Sequence, residues 1–209
     1  MSPETPPSVV ILAGGRSRRL GREKPFVDIG GKTVLERLLE AASDARDIVL
    51  AVREPSRFAS ALARWGWGEG PPFVRDGRRV RLVTDPRPDL GPVAGLASGL
   101  AAAEGARAVV LAGDLPFVTP RLVDRLDRAL REAGDAQAAV PRLDGRDQPL
   151  CAAYRRTVAA RASRLLDAEA PGGVSMSRLL EGLRVRRLDP AALDDVEDLA
   201  TRVRGIDTP

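Results

Sequence analysis

The sequence predicts an α/β fold, a Rossmann-like three-layer sandwich in which helices cover both faces of a mostly parallel central sheet. Short apolar runs alternate with segments of helical spacing along the whole chain, which is typical of this class. Glycines or a lone carboxylate follow several of the runs, where open sheets of this kind bind ligands. At 209 residues, the chain is expected to form one domain over residues 8–204, with flexible termini at 1–7 and 205–209.

Each predicted strand is a short apolar run, and each predicted helix has its apolar residues three or four positions apart. The strands are predicted at 9–13, 48–52, 80–83, 108–112, 136–140, 150–153 and 183–188. The helices are predicted at 33–42, 57–64, 93–103, 120–131, 155–167 and 177–180, with a terminal helix at 196–203. In the polar loop 64–79, Trp65 and Trp67 are expected to cap a hydrophobic edge, the alternative being that they stack on an aromatic ligand. Residues 171–173 form a second candidate loop that could act as a lid.

Composition excludes several kinds of active site. The chain has no His and one Cys, so imidazole bases, His-ligated zinc and an internal disulfide are excluded. Cys151 is interpreted as a small core residue, because no imidazole is there to activate its thiol. Any metal must take oxygen ligands, which indicates Mg²⁺ or Mn²⁺.

Charge and hydropathy patterns indicate which binding partners and which cellular compartment to expect. The net charge of +4 comes from 33 basic and 29 acidic residues that are interspersed, and aromatic residues make up only 3% of the chain. A solvated arginine-rich surface is therefore favoured over a nucleic-acid partner. No segment has the apolar length of a membrane span, and the N-terminus lacks the apolar core of a signal peptide. The single Cys fits a reducing compartment, so the expected location is the cytoplasm.

Residues 12–24 give the strongest functional signal. Gly14 and Gly15 follow the first predicted strand, and backbone N–H groups in such a turn can close around an anion. Four further cations lie in this loop: Arg16, Arg18, Arg19 and Arg22. Lys24 ends it, and it is one of only two lysines among 33 basic residues. A compact ammonium retained in an arginine-rich chain indicates a role that a planar guanidinium would not fill, so the loop predicts phosphate binding.

Two better-known nucleotide loops do not match. Gly31-Lys32-Thr33 resembles the end of a Walker A motif, but Phe26 occupies the position of its first glycine. The spacing of Gly14 and Gly15 does not give a Rossmann dinucleotide fingerprint either. Thr33 is instead predicted as a helix N-cap, with Glu36 completing a capping box.

Carboxylates end two other predicted strands. Asp114 follows the apolar run 108–112, and Pro116 prevents the strand from continuing, so Asp114 is the first candidate metal ligand. The alternative is that Asp114 is a turn residue before the next helix. Asp85 ends the strand 80–83 in the same way, and Gly91 and Gly95 beyond it permit close approach to a flat ligand; a plain strand–turn–helix connection is the alternative here.

Four motifs together resemble the molybdenum cofactor guanylyltransferases (MobA-type). They are Leu-Ala-Gly-Gly-x-Ser-x-Arg-Leu-Gly-x-x-Lys at 12–24, Gly-Pro-Val-Ala-Gly at 91–95, Gly-Asp-Leu-Pro at 113–116 and Gln-Pro-Leu-Cys-Ala-Ala-Tyr at 148–154. The resemblance spans residues 8 to about 200 and implies a fold like that of the nucleotide-diphospho-sugar transferases. The first motif is shared with the wider nucleotidyltransferase superfamily, whereas the second and fourth motifs restrict the resemblance to a smaller group within it.

The resemblance also implies roles for individual residues. Those implied to bind the nucleotide are Leu12, Ala13, Gly14, Gly15, Lys24, Asp85, Gly91, Gly95 and Asp114. Lys24, Arg19 and Asp114 are the implied catalytic residues, and Asp114 is implied to hold Mg²⁺, with Asp194 as the candidate second ligand. The chain departs from the family pattern at Ala192, where an Asn or Asp is usual, and it has no Asn after the second predicted strand.

The function implied is transfer of GMP from GTP to molybdopterin or molybdenum cofactor, with release of pyrophosphate. Leu-Ala-Gly-Gly at 12–15 favours GTP, because the related cytidylyltransferases typically have Leu-Ala-Ala-Gly there. Transient contact with proteins of cofactor biosynthesis, or with proteins that receive the product, is a further expectation. Three alternatives stay open: cytidylyl transfer, guanylyl transfer to another small phosphorylated acceptor, and GTP binding without turnover.

Overall fold

Nine strands form one central sheet in the computed structural model, which describes residues 6–14, 23–84, 90–169 and 173–206. In chain order the strands of this sheet are β1 (Ser8–Leu12), β4 (Asp47–Val52), β5 (Phe73–Arg75), β6 (Arg78–Thr84), β7 (Arg107–Ala112), β8 (Ala138–Leu143), β9 (Arg146–Asp147), β10 (Cys151–Arg155) and β11 (Val185–Leu188). Across the sheet the order is β11-β8-β10-β7-β1-β4-β6-β5, with β9 paired to β8. A separate two-stranded hairpin joins β2 (Asp28–Ile29) to β3 (Lys32–Thr33).

Most strands of the central sheet run in the same direction, as predicted. β7, β1, β4 and β6 form a parallel set, and β11 is parallel to β8. The exceptions are β10, which lies antiparallel between β7 and β8, and two short hairpin partners, β5 and β9. The carboxyl ends of β1, β4, β6, β7 and β8 therefore meet at one edge of the sheet.

The described residues also form seven α-helices, six between strands and one after the last strand. They are α1 (Val34–Ala41), α2 (Pro55–Arg64), α3 (Pro92–Ala102), α4 (Pro120–Glu132), α5 (Val158–Glu169), α6 (Met176–Glu181) and α7 (Leu199–Arg202), together with 3₁₀ helices at Lys24–Phe26 and Pro190–Leu193. Successive side chains of β1 pack in two different cores, because neighbouring side chains of a strand face opposite sides of the sheet. Val9 and Ile11 pack in the core with α1, α2 and α4, whereas Val10 packs in the core with α3, α5 and α6. The three-layer sandwich is confirmed.

Two local predictions are also confirmed. Thr33 caps α1 by accepting a hydrogen bond from the Glu36 N–H, and the Glu36 carboxylate accepts one from the Thr33 N–H, which completes the capping box. Trp67 is buried at the edge of a core, with the Arg78 guanidinium 4.9 Å from its ring centroid. Its capping role is therefore confirmed over ligand stacking.

The sequence prediction differs from the structure at several segments, including the following three. The loop predicted at 64–79 contains β5, which pairs with β6. The strand predicted at 136–140 lies two or three residues further on, as β8. The terminal helix predicted at 196–203 is wrong in length: α7 has only four residues, because Asp198 before it adopts a left-handed backbone conformation with φ of 56°.

No helix within the described ranges has both the length and the apolar character needed to cross a bilayer.

Candidate active site

The site is built where β1 and β7 end side by side. Leu12 pairs with Ala112 of β7 on one side and with Ala51 of β4 on the other. Beyond the paired residues, the Ala13 N–H donates to the Ala51 carbonyl at 2.8 Å and the Gly113 N–H donates to the Leu12 carbonyl at 2.9 Å. These hydrogen bonds hold the ends of the two strands together. Residues 13 and 14 therefore lie close to residues 113 and 114.

Gly113 permits this close approach. A Cβ at this position would lie 2.8 Å from the Leu12 carbonyl oxygen and 3.1 Å from the Ala13 Cα. Both are backbone atoms of the neighbouring strand end and cannot rotate away. Any side chain at 113 would therefore push the β1 and β7 ends apart.

The predicted phosphate lysine and the predicted metal carboxylate meet at this point. The Lys24 ammonium donates to Asp114 Oδ2 at 2.8 Å, and both side chains are 25% exposed. Lys24 begins the 3₁₀ helix that returns from the glycine loop, and Asp114 follows directly after Gly113. The two residues are 90 positions apart in the chain, and the parallel pairing of β1 and β7 brings them together.

The segment that carries Lys24 is anchored on the helices behind it. Phe26 packs against Phe58 of α2 with ring centroids 4.9 Å apart, and the Arg57 guanidinium lies 4.5 Å from the Phe26 ring centroid. The Val34 N–H, at the start of α1, donates to the Val27 carbonyl at 3.0 Å. Lys24 is therefore positioned by packed elements although it lies at the end of a loop.

The C-terminal segment supports Asp114 from another direction. The Ile206 N–H donates to the Asp114 carbonyl at 3.1 Å, and a Cβ on Gly205 would lie 3.1 Å from Asp114 Oδ2. The sequence analysis assigned both residues to a terminal tail and missed this contact. A glycine about 90 positions beyond Asp114 carries no local signal that could have revealed this contact.

The first turn of α3 packs beside Leu12, at the end of β1. Gly91 caps α3 with φ of 84°, a left-handed value that favours glycine, and it is exposed. A Cβ on Gly95 would lie 3.6 Å from the Leu12 Cδ2, which is ordinary van der Waals contact. Of the first loop residues, Leu12 is half-buried, Ala13 is buried and Gly14 is exposed at the rim.

Three predicted site residues lie outside the described residues: Gly15, Arg19 and Asp85. The same is true of Arg16, Arg18 and Arg22, and of residues 171 and 172 of the candidate lid. Their predicted roles stay predictions.

Cys151 pairs with Leu111 of β7, near the site, but it is not part of the site's chemistry. It is 2% exposed, and burial raises the pKa of its thiol to about 12. At neutral pH the thiol is protonated and therefore a poor nucleophile. Its interpretation as a core residue is confirmed.

Comparison with known proteins identifies the family. The model of the MobA-like NTP transferase domain matches residues 9–187. The chain belongs to the MobA-like NTP transferase family. As a member of this family it is a nucleotidyltransferase.

Relatives and solved structures agree with this family. The chain is 35% identical to a probable molybdenum cofactor guanylyltransferase of Methanosarcina acetivorans, over 96% of this chain and 81% of the relative. It is 32% identical to a protein of Mycobacterium tuberculosis with the same description, over 96% of this chain and 94% of the relative. The crystal structure of molybdopterin-guanine dinucleotide biosynthesis protein A from Archaeoglobus fulgidus superposes with a TM-score of 0.76 at 26% identity, covering 97% of this chain and 93% of that one. A Thermus thermophilus cytidylyltransferase, at 23% identity and a TM-score of 0.60, shares the fold.

The donor set of this MobA-like site suits a magnesium ion that is held mainly by a nucleotide. Within the described ranges, no three acidic, His or Cys side chains cluster as a complete protein cage for a metal. Asp114 supplies a single, partly exposed carboxylate beside the Lys24 ammonium. One or two carboxylates plus substrate phosphates is the usual coordination of Mg²⁺. Asp194, the other predicted ligand, is exposed after the 3₁₀ helix Pro190–Leu193, so its role as a ligand stays a prediction.

Proposed function

We propose that this protein transfers GMP from GTP to the terminal phosphate of molybdopterin or molybdenum cofactor, forming the guanine dinucleotide and releasing pyrophosphate. One observation carries the proposal: Lys24 Nζ and Asp114 Oδ2 are 2.8 Å apart at the shared end of β1 and β7. This contact supports a site in which Lys24 would act on the triphosphate and Asp114 on a metal ion. Relatives of 32–35% identity described as probable molybdenum cofactor guanylyltransferases support the choice of nucleotide and acceptor.

The chemistry requires positioning and charge neutralisation more than proton transfer. The acceptor phosphate is an anion at neutral pH and can attack the α-phosphate of GTP in line without a general base. A chain with no His is suited to such a reaction. Lys24 would neutralise charge on the triphosphate, while the N–H groups of Gly14 and Gly15 would donate to phosphate oxygens. The arginines of the loop, Arg19 among them, would add to the same electrostatic field.

Asp114 would hold Mg²⁺ or Mn²⁺, with Asp194 as the second proposed ligand. When bound, the divalent ion neutralises charge that develops on the phosphates and the leaving pyrophosphate. Because Asp114 is already ion-paired to Lys24, the two side chains must exchange partners when the nucleotide binds.

The guanine base is assigned to the neighbourhood of Leu12 and the start of α3. Gly91 is exposed and Gly95 is half-buried, and neither carries a side chain, so a flat purine could approach the backbone at the start of α3. Asp85 is proposed to contact the same nucleotide. We place the reaction in the cytoplasm, with transient contacts to the proteins that supply the acceptor or receive the product.

Nucleotide preference is the first test. GTP with Mg²⁺ is expected to bind more tightly than CTP, ATP or UTP in isothermal titration calorimetry. Release of pyrophosphate should require both GTP and molybdopterin. CTP binding as tight as GTP binding would contradict guanylyl transfer, and GTP binding without any pyrophosphate release would favour a non-catalytic GTP-binding protein.

Asp114→Asn tests the metal site. The variant keeps the shape of the side chain and removes its charge, so the fold should be intact and GTP binding should lose its dependence on Mg²⁺. Pyrophosphate release should fall by at least ~10²–10³, the effect of losing one preorganised transition-state contact. Asp124→Asn is the matched control, since Asp124 is an exposed carboxylate on α4 whose partner is Arg128. Normal turnover of Asp114→Asn would place the metal elsewhere.

A further inference from the structure

The chain after the last strand returns to the active site along one face of the sheet. The segment 189–206 contains the 3₁₀ helix Pro190–Leu193 and α7, and its far end contacts Asp114. Four of its residues lie in or against the core that also contains α1, α2 and α4: Val196, Leu199, Val203 and Ile206. The segment is therefore a packed part of the fold at the point where it reaches the site.

Helix α4 fixes the course of this segment. The Arg121 Nη2 lies 2.8 Å from Asp195 Oδ2, and the Arg125 Nε lies 2.8 Å from Asp195 Oδ1. The Arg125 Nη2 also donates to the Ala192 carbonyl at 2.9 Å. Because α4 begins shortly after Asp114, the segment and the loop that carries Asp114 are held on the same helix.

Two hydrogen bonds join the segment directly to the loop 114–117. The Ile206 N–H donates to the Asp114 carbonyl at 3.1 Å, and the Arg202 Nη1 donates to the Phe117 carbonyl at 3.4 Å. Both acceptors are backbone carbonyls, so these bonds do not occupy the Asp114 carboxylate. The backbone that carries Asp114 is therefore fixed by this segment as well as by β1.

Gly205 lies against the carboxylate itself. A Cβ at this position would lie 3.1 Å from Asp114 Oδ2, 3.2 Å from Cγ and 3.4 Å from Oδ1. Oδ2 is also the oxygen that accepts from the Lys24 ammonium. The φ angle of Gly205 is outside the left-handed region, so the backbone does not require glycine here. The absence of a side chain at 205 instead leaves room for the carboxylate in its observed position.

We propose that Gly205, together with the Ile206 N–H, positions the Asp114 carboxylate for the metal ion that accompanies the nucleotide. This inference rests on the proposed function, in which Asp114 is a metal ligand. A side chain at 205 would displace the carboxylate by a few tenths of an ångström. Loss of the groups that orient a metal ligand typically lowers metal affinity or activity ~10- to 100-fold. Gly205 is thus a positioning residue, which acts through Asp114.

Substitutions that add atoms at 205 provide the test. Gly205→Ala and Gly205→Val would be compared with wild type by isothermal titration calorimetry of GTP, with and without Mg²⁺. Mg²⁺ should raise the GTP affinity of wild type, and this gain should fall ~10-fold in Gly205→Ala and further in Gly205→Val. Ala200→Ser is the matched control, because it adds one atom to an exposed residue of α7 and should keep the full gain. The urea midpoint of Gly205→Ala should stay close to that of wild type, since alanine fits this backbone.

A double-mutant cycle separates positioning from a general structural defect. Because Gly205 acts through Asp114, Gly205→Ala should lower pyrophosphate release ~10-fold in wild type and cause no further loss in Asp114→Asn. Multiplied losses in the double variant would overturn the inference, as would an equal Mg²⁺ gain in wild type and both Gly205 variants. If Gly205→Ala reduces the Mg²⁺ gain but wild type releases no pyrophosphate from GTP and molybdopterin, the positioning role stands and the proposed guanylyl transfer is wrong.

Discussion

At the scale of single residues, the site depends on which cation lies beside Asp114. The chain has only two lysines, and one of them, Lys24, is the residue that pairs with this carboxylate. Both side chains are partly exposed, so the pair can open when phosphates arrive. A small ammonium on a flexible stem can move between a carboxylate and a phosphate more readily than a planar fork can.

Substitution of Lys24 tests this role. Lys24→Ala should reduce pyrophosphate release by ~10²–10³, and Lys24→Arg should recover little of it, because the guanidinium fork does not fit where the ammonium does. Lys32→Arg is the matched control, since Lys32 is the other lysine and forms an exposed pair with Glu40. Full activity of Lys24→Arg in steady-state assays would show that charge alone is needed at this position.

At the scale of elements, the geometry of the site depends on how closely the ends of two parallel strands, β1 and β7, approach each other. Gly113 allows the β7 end to pack on the Leu12 carbonyl, and the resulting hydrogen bond joins the glycine loop to the loop of Asp114. The position of Asp114, the proposed metal ligand, relative to the end of β1 is thus set by strand packing, and neither segment alone determines it.

Gly113→Ala should therefore disturb both stability and activity. The added methyl group would meet backbone atoms at 2.8 and 3.1 Å, and overpacking of this kind costs about 1–3 kcal/mol. Urea unfolding should show the loss. Gly95→Ala serves as the comparison for stability only, because its Cβ would meet Leu12 at an ordinary 3.6 Å and alanine favours the helix. An unchanged unfolding midpoint for Gly113→Ala would contradict the packing argument.

At the scale of the whole molecule, the end of the sheet opposite the site is held by a buried polar network. Asp47, at the start of β4, accepts hydrogen bonds from the Ser8 hydroxyl, the Arg81 guanidinium and the Glu104 N–H. The Ser8 hydroxyl oxygen accepts in turn from the Gly105 N–H at 2.9 Å. The network joins β1, β4 and β6 to the segment before β7, so the strands that form the site are also fixed at their far ends.

This network predicts a pH dependence of stability. Burial by itself raises the pKa of Asp47, but the hydrogen bonds from Glu104 and Ser8 and the charge of Arg81 outweigh it, so the pKa is lowered below 3.8. A carboxyl whose folded pKa is depressed stabilises the fold above its unfolded pKa, and this contribution is lost as the pH falls through the folded value. Asp47→Asn should therefore lower the free energy of unfolding by ~3 kcal/mol at pH 7, and the difference from wild type should shrink below pH ~3.8.

Urea unfolding of both proteins between pH 7 and pH 3 measures this difference. Asp135→Asn is the control, because Asp135 forms an exposed pair with Arg184 and should change the free energy of unfolding by less than ~1 kcal/mol. A difference between wild type and Asp47→Asn that stays constant down to pH 3 would show that the Asp47 charge does not stabilise the fold.

Local patterns in the sequence determined much of this molecule. The alternation of apolar runs and helical spacing predicted the layered sheet, because each element takes its period from its own few residues. Thr33 and Glu36 predicted the start of α1, since a capping box lies within one helical turn. Lys24 and Asp114 were chosen because residue type and position after a strand carry chemical meaning without knowledge of the partner.

Only the tertiary structure decided which distant segments meet. It placed β10 antiparallel between β7 and β8, and so brought the motif at 148–154 beside the strand of Asp114. It also packed Gly205 and Ile206 against Asp114. Strand order and terminal packing are set by which apolar faces bury each other across the whole chain, and no window of neighbouring residues contains that information.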